Sequence, residues 1–273
     1  HLGRTSTKTH PLKRVRLLEP NIPKISVIIV NYNAGEWLAR SVASVAAQTL
    51  KDFECFIIDN GSTDGSIAAL PDLDKRFMII KLTDNTGFTR ANNIGAGKAK
   101  GEWLALLNPD AFARPDWLDA LLAQTTRKDV TMVGSTQVMA LEPDVYDGLG
   151  DCYHFTGLAW RAGFGHNIEA RTDYETCEVF GPCAAAALYS REVFMRLGGF
   201  DESFFCYHED VDLAFRFRLD GGRCIQSADA KVDHVSSGIT GRASDFAVYH
   251  GTRNRMWTFV KCMPMAGLII CIP

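Results

Sequence analysis

Apolar and polar positions come in blocks along this chain. Ile25 to Val30 is a β-branched run, the mark of a buried strand, and it stops in a turn at Asn31-Tyr32-Asn33-Ala34-Gly35. Leu38, Val42, Val45 and Ala46 then share one helical face. A second strand spans Phe53 to Asp59 and enters the polar turn Asn60–Ser66, which is expected to lead into a short helix. Phe77 to Leu82 reads as a third strand, and Thr89 to Lys100 as a helix. Trp103 to Leu107 is a fourth strand, stopped by Asn108-Pro109, because proline cannot donate to a ladder. Pro115 fits the first turn of the next helix, with Trp117, Leu118, Leu121 and Leu122 inward. Strand and helix thus alternate four times, which predicts an α/β fold with a doubly wound, mostly parallel central sheet. Such sheets collect ligands beyond the carboxyl ends of their strands. Asn31, Tyr32, Asp59, Asn85, Arg90 and Asp110 are therefore expected to share one crevice.

The second half has a different pattern. Asp144 to Tyr174 is rich in Gly, Asp, aromatics and Arg without a period, and reads as a long excursion carrying one hairpin. Gly181 to Ser190 is small and apolar, a tightly packed strand, and Ser190 is placed to cap a helix closed by Gly198-Gly199. Glu209, Asp210 and Asp212 open another helix, with Val211, Ala214 and Phe215 facing inward. Ala230 to Val235 reads as a short late strand carrying His234.

Composition narrows the class. With 47% hydrophobic and 22% charged residues in 273, the chain is globular, and a net charge of -3 gives no reason to expect nucleic acid as a partner. The eight cysteines form no Cys-x-x-Cys pair, so reduced thiols rather than a zinc site are expected. Residues 1–23 read as a tag remnant and basic, flexible lead-in. Residues 263–273 are an apolar tail, either a last core element or a segment cut short at a membrane face; the preceding Arg253, Arg255 and Lys261 favour the second. There is no Gly-x-Gly-x-x-Gly after the first strand and no Walker-type Gly-Lys-Ser/Thr, which argues against dinucleotide and P-loop sites. A nucleotide can still bind, with Tyr32 offering a ring to the base and Asp59 an acceptor.

The candidate chemistry has plain structural alternatives. Asp110, beside the neutral Asn108 at a strand end, suits a hard divalent cation shared with phosphate oxygens; Asn, Pro and Asp are also ordinary turn residues. Glu209 and Asp210 follow a cluster of aromatics, which favours a raised pKa and general-base work; acids in a first helical turn also answer the helix dipole. His234 reaching Asp110 would suit Mn, or equally Mg. Arg253-Asn254-Arg255 would neutralise a diphosphate, or form a solvated helix face.

Taken together, these motifs resemble glycosyltransferase family 2, of GT-A fold, and most closely its bacterial rhamnosyltransferase branch. Asn31-Tyr32-Asn33 and Ile57 to Ser66 resemble that family's donor-nucleotide half, which includes Asp59 and Asn60. Asn85 to Gly95 resembles its next block, and Leu107-Asn108-Pro109-Asp110 stands where the family carries Asp-x-Asp. Gly198 to Phe205 and Glu209-Asp210-Val211-Asp212-Leu213 resemble its acceptor and catalytic-base block. His234 matches the late metal-contacting histidine, and Arg253-Asn254-Arg255 the closing basic motif. The resemblance covers Ile25 to Met263, and six motifs in the family's order make it specific. Asn108 replaces the first Asp of Asp-x-Asp, which leaves Asp110 as the implied direct metal ligand.

The resemblance implies one domain over residues 24–262, with a nucleotide-sugar half (24–112) and an acceptor half (113–262). It implies an inverting, metal-dependent hexosyltransferase moving L-rhamnose from dTDP-rhamnose, or a sugar from a UDP donor, to a lipid-linked or polysaccharide acceptor. Asp210 would be the base, and Glu209 would orient the acceptor. Asn31, Tyr32, Asn33, Asp59, Asn60, Asn85, Arg90, Asn108 and Arg253 would hold the donor nucleotide, and Asp110 and His234 a Mn or Mg ion. The setting implied is bacterial cell-surface glycan synthesis, in the cytoplasm at the inner face of the plasma membrane, through peripheral contact. Two other readings are a sugar-phosphate nucleotidyltransferase, which normally has a basic Gly-rich loop where Asn33-Ala34-Gly35-Glu36 has no basic residue, and a non-catalytic carbohydrate- or nucleotide-binding module.

Overall fold

A computed structural model describes residues 22–171, 174–236 and 244–271. β1 (Ile25–Asn31) is buried along its whole length, as its β-branched run requires, and is followed by α1 (Glu36–Ala46). β2 (Phe53–Asn60) and β3 (Phe77–Leu82) come next, then α2 (Gly87–Lys98) and β4 (Trp103–Leu107). β1 pairs in parallel with β2 on one side and β4 on the other, and β2 pairs in parallel with β3. Two apolar layers sandwich this sheet. Leu38, Val42 and Val45 of α1 pack with Trp117, Leu118 and Leu121 on one face. Ala91 and Ala96 of α2 lie with Phe194, Phe200 and Phe217 on the other.

One predicted helix is absent. Residues after Ser66 form only a hydrogen-bonded turn. The Asp64 carboxylate accepts from Ser66 N at 3.0 Å, Ser66 Oγ at 2.7 Å and Gly35 N at 2.7 Å, so local side-chain bonds take the donors a helix would have used. The alternation of strand and helix therefore skips one helix. Pro115 also falls outside α3 (Trp117–Ala123), in the turn closed by Trp117 N on Arg114 O.

β5 (Ala111–Ala113) leaves the main path and pairs with the end of the last strand. β6 (Val130–Met139) and β7 (Glu142–Gly148) are antiparallel, and the expected excursion holds the hairpin β8 (Asp151–Tyr153) and β9 (Ala159–Arg161). β10 (Cys177–Val179) forms an edge. β11 (Ala186–Ser190) enters between β4 and β6, antiparallel to both. Its alanines, fully or nearly buried, let flanking layers approach closely. Ser190 caps α4 (Arg191–Arg196) as expected, accepting from Val193 N. In α5 (Glu209–Leu219) Val211 and Ala214 are buried, but Phe217 rather than Phe215 reaches the core. Phe215 is half-buried, edge-on to Tyr153 and Phe180. The late strand is longer than expected: β12 (Arg223–His234) runs parallel to β6 with a bulge between Ser227 and Lys231.

α6 (Asp245–Cys262) and α7 (Met265–Cys271) complete the described chain. No helix among the described residues is long and apolar enough to cross a membrane. All eight cysteines are free thiols. Residues 1–21 of the expected lead-in, and 272–273 of the tail, lie outside the described residues.

Candidate active site

The carboxyl ends of β1, β2 and β4, the β8–β9 hairpin, the start of α5 and the end of β12 enclose one cavity of about 1170 Å³. Asp110 and His234 meet in it because β5 pairs antiparallel with the end of β12, setting Ala111 opposite His234. Val235 N donates to Asp110 O at 3.0 Å and fixes the crossing. His234 Nε2 lies 3.3 Å from Asp110 Oδ1, with both residues buried. Neither atom completes a well-formed hydrogen bond.

Behind the imidazole, Nδ1 is 2.8 Å from Asp147 Oδ2, which also accepts from Arg161 Nη1 at 2.9 Å. A carboxylate there orients the ring so that Nε2 faces Asp110, the arrangement found behind metal-ligating histidines. Burial opposes charge on His234, but Asp110 and Asp147 outweigh it and push the imidazole up to about 9. Burial also opposes ionisation of Asp147, yet the bond with His234 and the Arg161 charge bring its carboxyl down to about 2. Two orphaned, converging polar atoms, one oxygen and one imidazole nitrogen, fit a divalent ion whose other ligands are phosphate oxygens. Among the described residues no group of three or more His, Cys, Asp or Glu side chains forms a closed cage, so the protein alone does not enclose such an ion.

The three acids of α5 have three fates. Asp212 is fully buried away from the cavity, bonded by Arg216 at 2.7 Å and Lys261 at 2.9 Å, and is structural. Glu209 lines the cavity, nearly buried and with Oε2 unpartnered; burial and then the Asp210 charge push its carboxyl well above the usual range. Asp210 also lines the cavity, half-exposed, accepting from Ala184 N at 3.2 Å and Val211 N at 2.9 Å. The carboxylates at 110 and 210 thus share one pocket.

The donor-side expectations divide. Tyr32, Asn60, Asn85 and Asn108 line the cavity. Asn60 is nearly fully buried, donating to Asn85 Oδ1 at 2.9 Å and accepting from Thr86 N at 2.9 Å, so it shapes the turn that presents Asn85. Asn31, Asn33 and Asp59 do not line the cavity. Asn31 Nδ2 bonds Ser62 Oγ and Ser66 Oγ, both at 2.9 Å, and Asn33 Oδ1 accepts from Thr63 N at 2.8 Å. Arg90 is an exposed side chain 3.9 Å from Glu202 and does not line the cavity. Arg253 does not line it either: its guanidinium is drawn away by Ser203 O, Phe204 O and the face of Trp257, 4.2 Å from the ring centre.

Three cavity features went unread in the sequence. Asp147, Arg161 and Asp151 all lie in the aperiodic excursion, and their signal was acids spaced four apart around Gly148 and Gly150. Arg161 bridges Asp147 and Cys183 Sγ, 2.9 Å away. Asp151 is nearly buried, its backbone held by Gly181 O at 2.8 Å, and burial with the Asp210 charge pushes its carboxyl up to about 8.

The sequence model for glycosyl transferase family 2 matches residues 26–198. The chain belongs to glycosyl transferase family 2. An uncharacterized glycosyltransferase of Haemophilus influenzae is 32% identical over 151 residues, covering 54% of this chain and 46% of that protein. An O-antigen biosynthesis protein of Myxococcus xanthus is 31% identical over 82% of this chain, which spans 18% of it. The chain thus spans less than half the length of each of these two relatives. The N-acetylglucosaminyl-diphospho-decaprenol L-rhamnosyltransferase of Mycobacterium tuberculosis is 28% identical, over 83% of this chain and 81% of its own length. A crystal structure of GalNAc-T7 with UDP, GalNAc and Mn2+ superposes with a TM-score of 0.67 at 19% identity, over 88% of this chain and 48% of that one. The fold of this family 2 chain is accordingly GT-A. Asp110 falls within the family match, whereas Glu209, Asp210 and His234 lie beyond it.

Proposed function

We propose that this family 2 chain is an inverting glycosyltransferase that moves a sugar from a nucleotide donor to an acceptor hydroxyl. The observation that carries the reading is the single cavity into which the Asp110–His234 pair and the Glu209–Asp210 pair both open. At about 1170 Å³ it exceeds the ~300–1,000 Å³ of an ordinary ligand cleft, which suits two reactants. Asp210 takes the acceptor proton as that oxygen bonds the anomeric carbon, and the bond to the nucleoside diphosphate breaks on the opposite face. Glu209, kept uncharged beside it, donates a hydrogen bond that orients the acceptor. Tyr32, Asn85 and Asn108 face the donor. A bound Mn or Mg ion would offset charge on the departing diphosphate, held by Asp110 and His234. Replacing Asp147 with Asn is expected to weaken Mn affinity at least about tenfold by titration calorimetry, because the imidazole loses its anionic support. Unchanged affinity would remove Asp147 from this role.

The mycobacterial relative supports L-rhamnose from dTDP-rhamnose as donor and a lipid-linked glycan as acceptor. The exposed Met265, Ile269 and Ile270 of α7, following Lys261, support peripheral contact with the inner face of a bacterial plasma membrane. The test is thermal melting with dTDP-rhamnose and a panel of UDP-sugars, with and without Mn. A matched donor at a hundredfold above its Kd contributes about 2.7 kcal/mol, a rise of roughly 5–10 °C. A flat melting temperature across the whole panel would favour a non-catalytic reading over sugar transfer.

A further inference from the structure

The turn that delivers Glu209 and Asp210 to the cavity is strained. Phe205, Tyr207 and His208 have φ of 66°, 68° and 63°, positive values that non-glycine side chains rarely adopt. Such backbone persists only when its surroundings over-determine it. Here every carbonyl of the turn has a partner. Asn254 of α6, fully buried, shares the two N–H groups of Nδ2 among Phe204 O at 2.9 Å, Cys206 O at 2.8 Å and Tyr207 O at 2.7 Å. The remaining carbonyl, Phe205 O, accepts from Thr89 N of α2 at 3.2 Å. His208 O accepts from Asp212 N at 3.0 Å and starts α5.

The amide of Asn254 has one usable orientation. Arg253 Nε donates to its Oδ1 at 2.9 Å, which forces Nδ2 toward the three carbonyls. From the other side, Gly87 seats the Phe205 ring: a Cβ there would lie 2.6 Å from Phe205 Cδ2, and φ of 86° already excludes most side chains. The turn is thus gripped between α6 and the start of α2, next to Asn85 on the donor side.

We infer that Asn254, oriented by Arg253, is the positioning residue that holds the left-handed turn and so aims the base at the acceptor. The inference rests on the reaction proposed above. It gives Arg253 a different task from diphosphate neutralisation, and the two assignments separate kinetically. Arg253→Met keeps an apolar stem on Trp257 but loses the bond that orients Asn254. Asn254→Ala removes the side-chain donor from Cys206 O and Tyr207 O.

The experiment uses the full chain, with dTDP-rhamnose or the UDP-sugar that gives the largest thermal shift. The acceptor probe is a short-chain prenyl-diphospho-N-acetylglucosamine. Hydrogen exchange of residues 204–212 is followed in parallel. Both variants are expected to speed exchange in that segment at least about tenfold. Turnover should fall about fiftyfold for Asn254→Ala and about fivefold for Arg253→Met, with donor KM within threefold of wild type. Faster exchange with unchanged turnover would overturn the inference, and so would a loss expressed in donor KM. If Asn254→Ala does not fold, Arg253→Met decides by the same split. If the wild-type chain transfers no sugar to the probe, the proposed reaction is what fails, and exchange alone decides whether Asn254 holds the turn.

Discussion

Asp210→Asn is expected to lower turnover at least about a hundredfold while nucleotide-induced thermal stabilisation stays at the wild-type level. Asp210 opens α5, whereas Tyr32, Asn60 and Asn85 lie at or just past the ends of β1, β2 and β3, so the substitution leaves the proposed donor contacts in place. An asparagine keeps an oxygen for the Ala184 amide, so the local geometry has its anchor. Stability should not suffer. The Asp210 charge pushes both Glu209 and Asp151 upward, and its removal relieves two buried carboxyls. A slow variant that melts no lower than wild type and still binds nucleotide isolates the loss to proton transfer. Near-wild-type turnover would end the assignment of Asp210 as base.

Asp151→Asn should stabilise the protein, and do so increasingly as pH rises above about 4. Burial and the Asp210 charge raise this carboxyl from 3.8 to about 8, while Arg161 pulls the other way. The unfolded chain ionises near pH 4 and the folded one not until about 8, so the wild type loses stability progressively across that window. The loss is absent below the unfolded value and complete above the folded one. Asparagine has no proton to lose and escapes it. At 1.36 kcal/mol per unit the full shift is at most about 6 kcal/mol. Sharing of charge with Asp210 makes this an upper bound. The melting temperature of the variant should therefore exceed wild type by at least about 5 °C at pH 8 and match it below about pH 3.5. Equal melting at both pH values would show that Asp151 is ionised like a surface acid.

Much of the fold was legible because its central strands are buried on both faces. Such strands must be written in Val, Ile, Leu and Phe, and β1, β2 and β4 are. Of the six residues that the rule about strand ends brings together, Tyr32, Asn85 and Asp110 line the cavity and Asn31, Asp59 and Arg90 do not. The short helix after Ser66 failed because Asp64 offered its turn a local alternative. Asp147, Asp151 and Arg161 were illegible for a different reason. They lie in a segment with no period, and what makes them matter is contact with residues tens of positions away, as Asp147 meets His234 across 87 positions. Charge alone could not tell whether Arg253 faces an anion; its bonds to the 203–204 carbonyls, which hold it outside the cavity, are a property of packing.

The strand order has a consequence for synthesis on the ribosome. β4 pairs with β1 at once, but its other edge waits for β11, which lies about eighty residues downstream. Until that stretch emerges, a four-stranded parallel slab presents an open row of amides and carbonyls, and neither half can be finished without the other. The nascent protein therefore passes through a stage with an adhesive flank, and any fragment ended before Ser190 is frozen there.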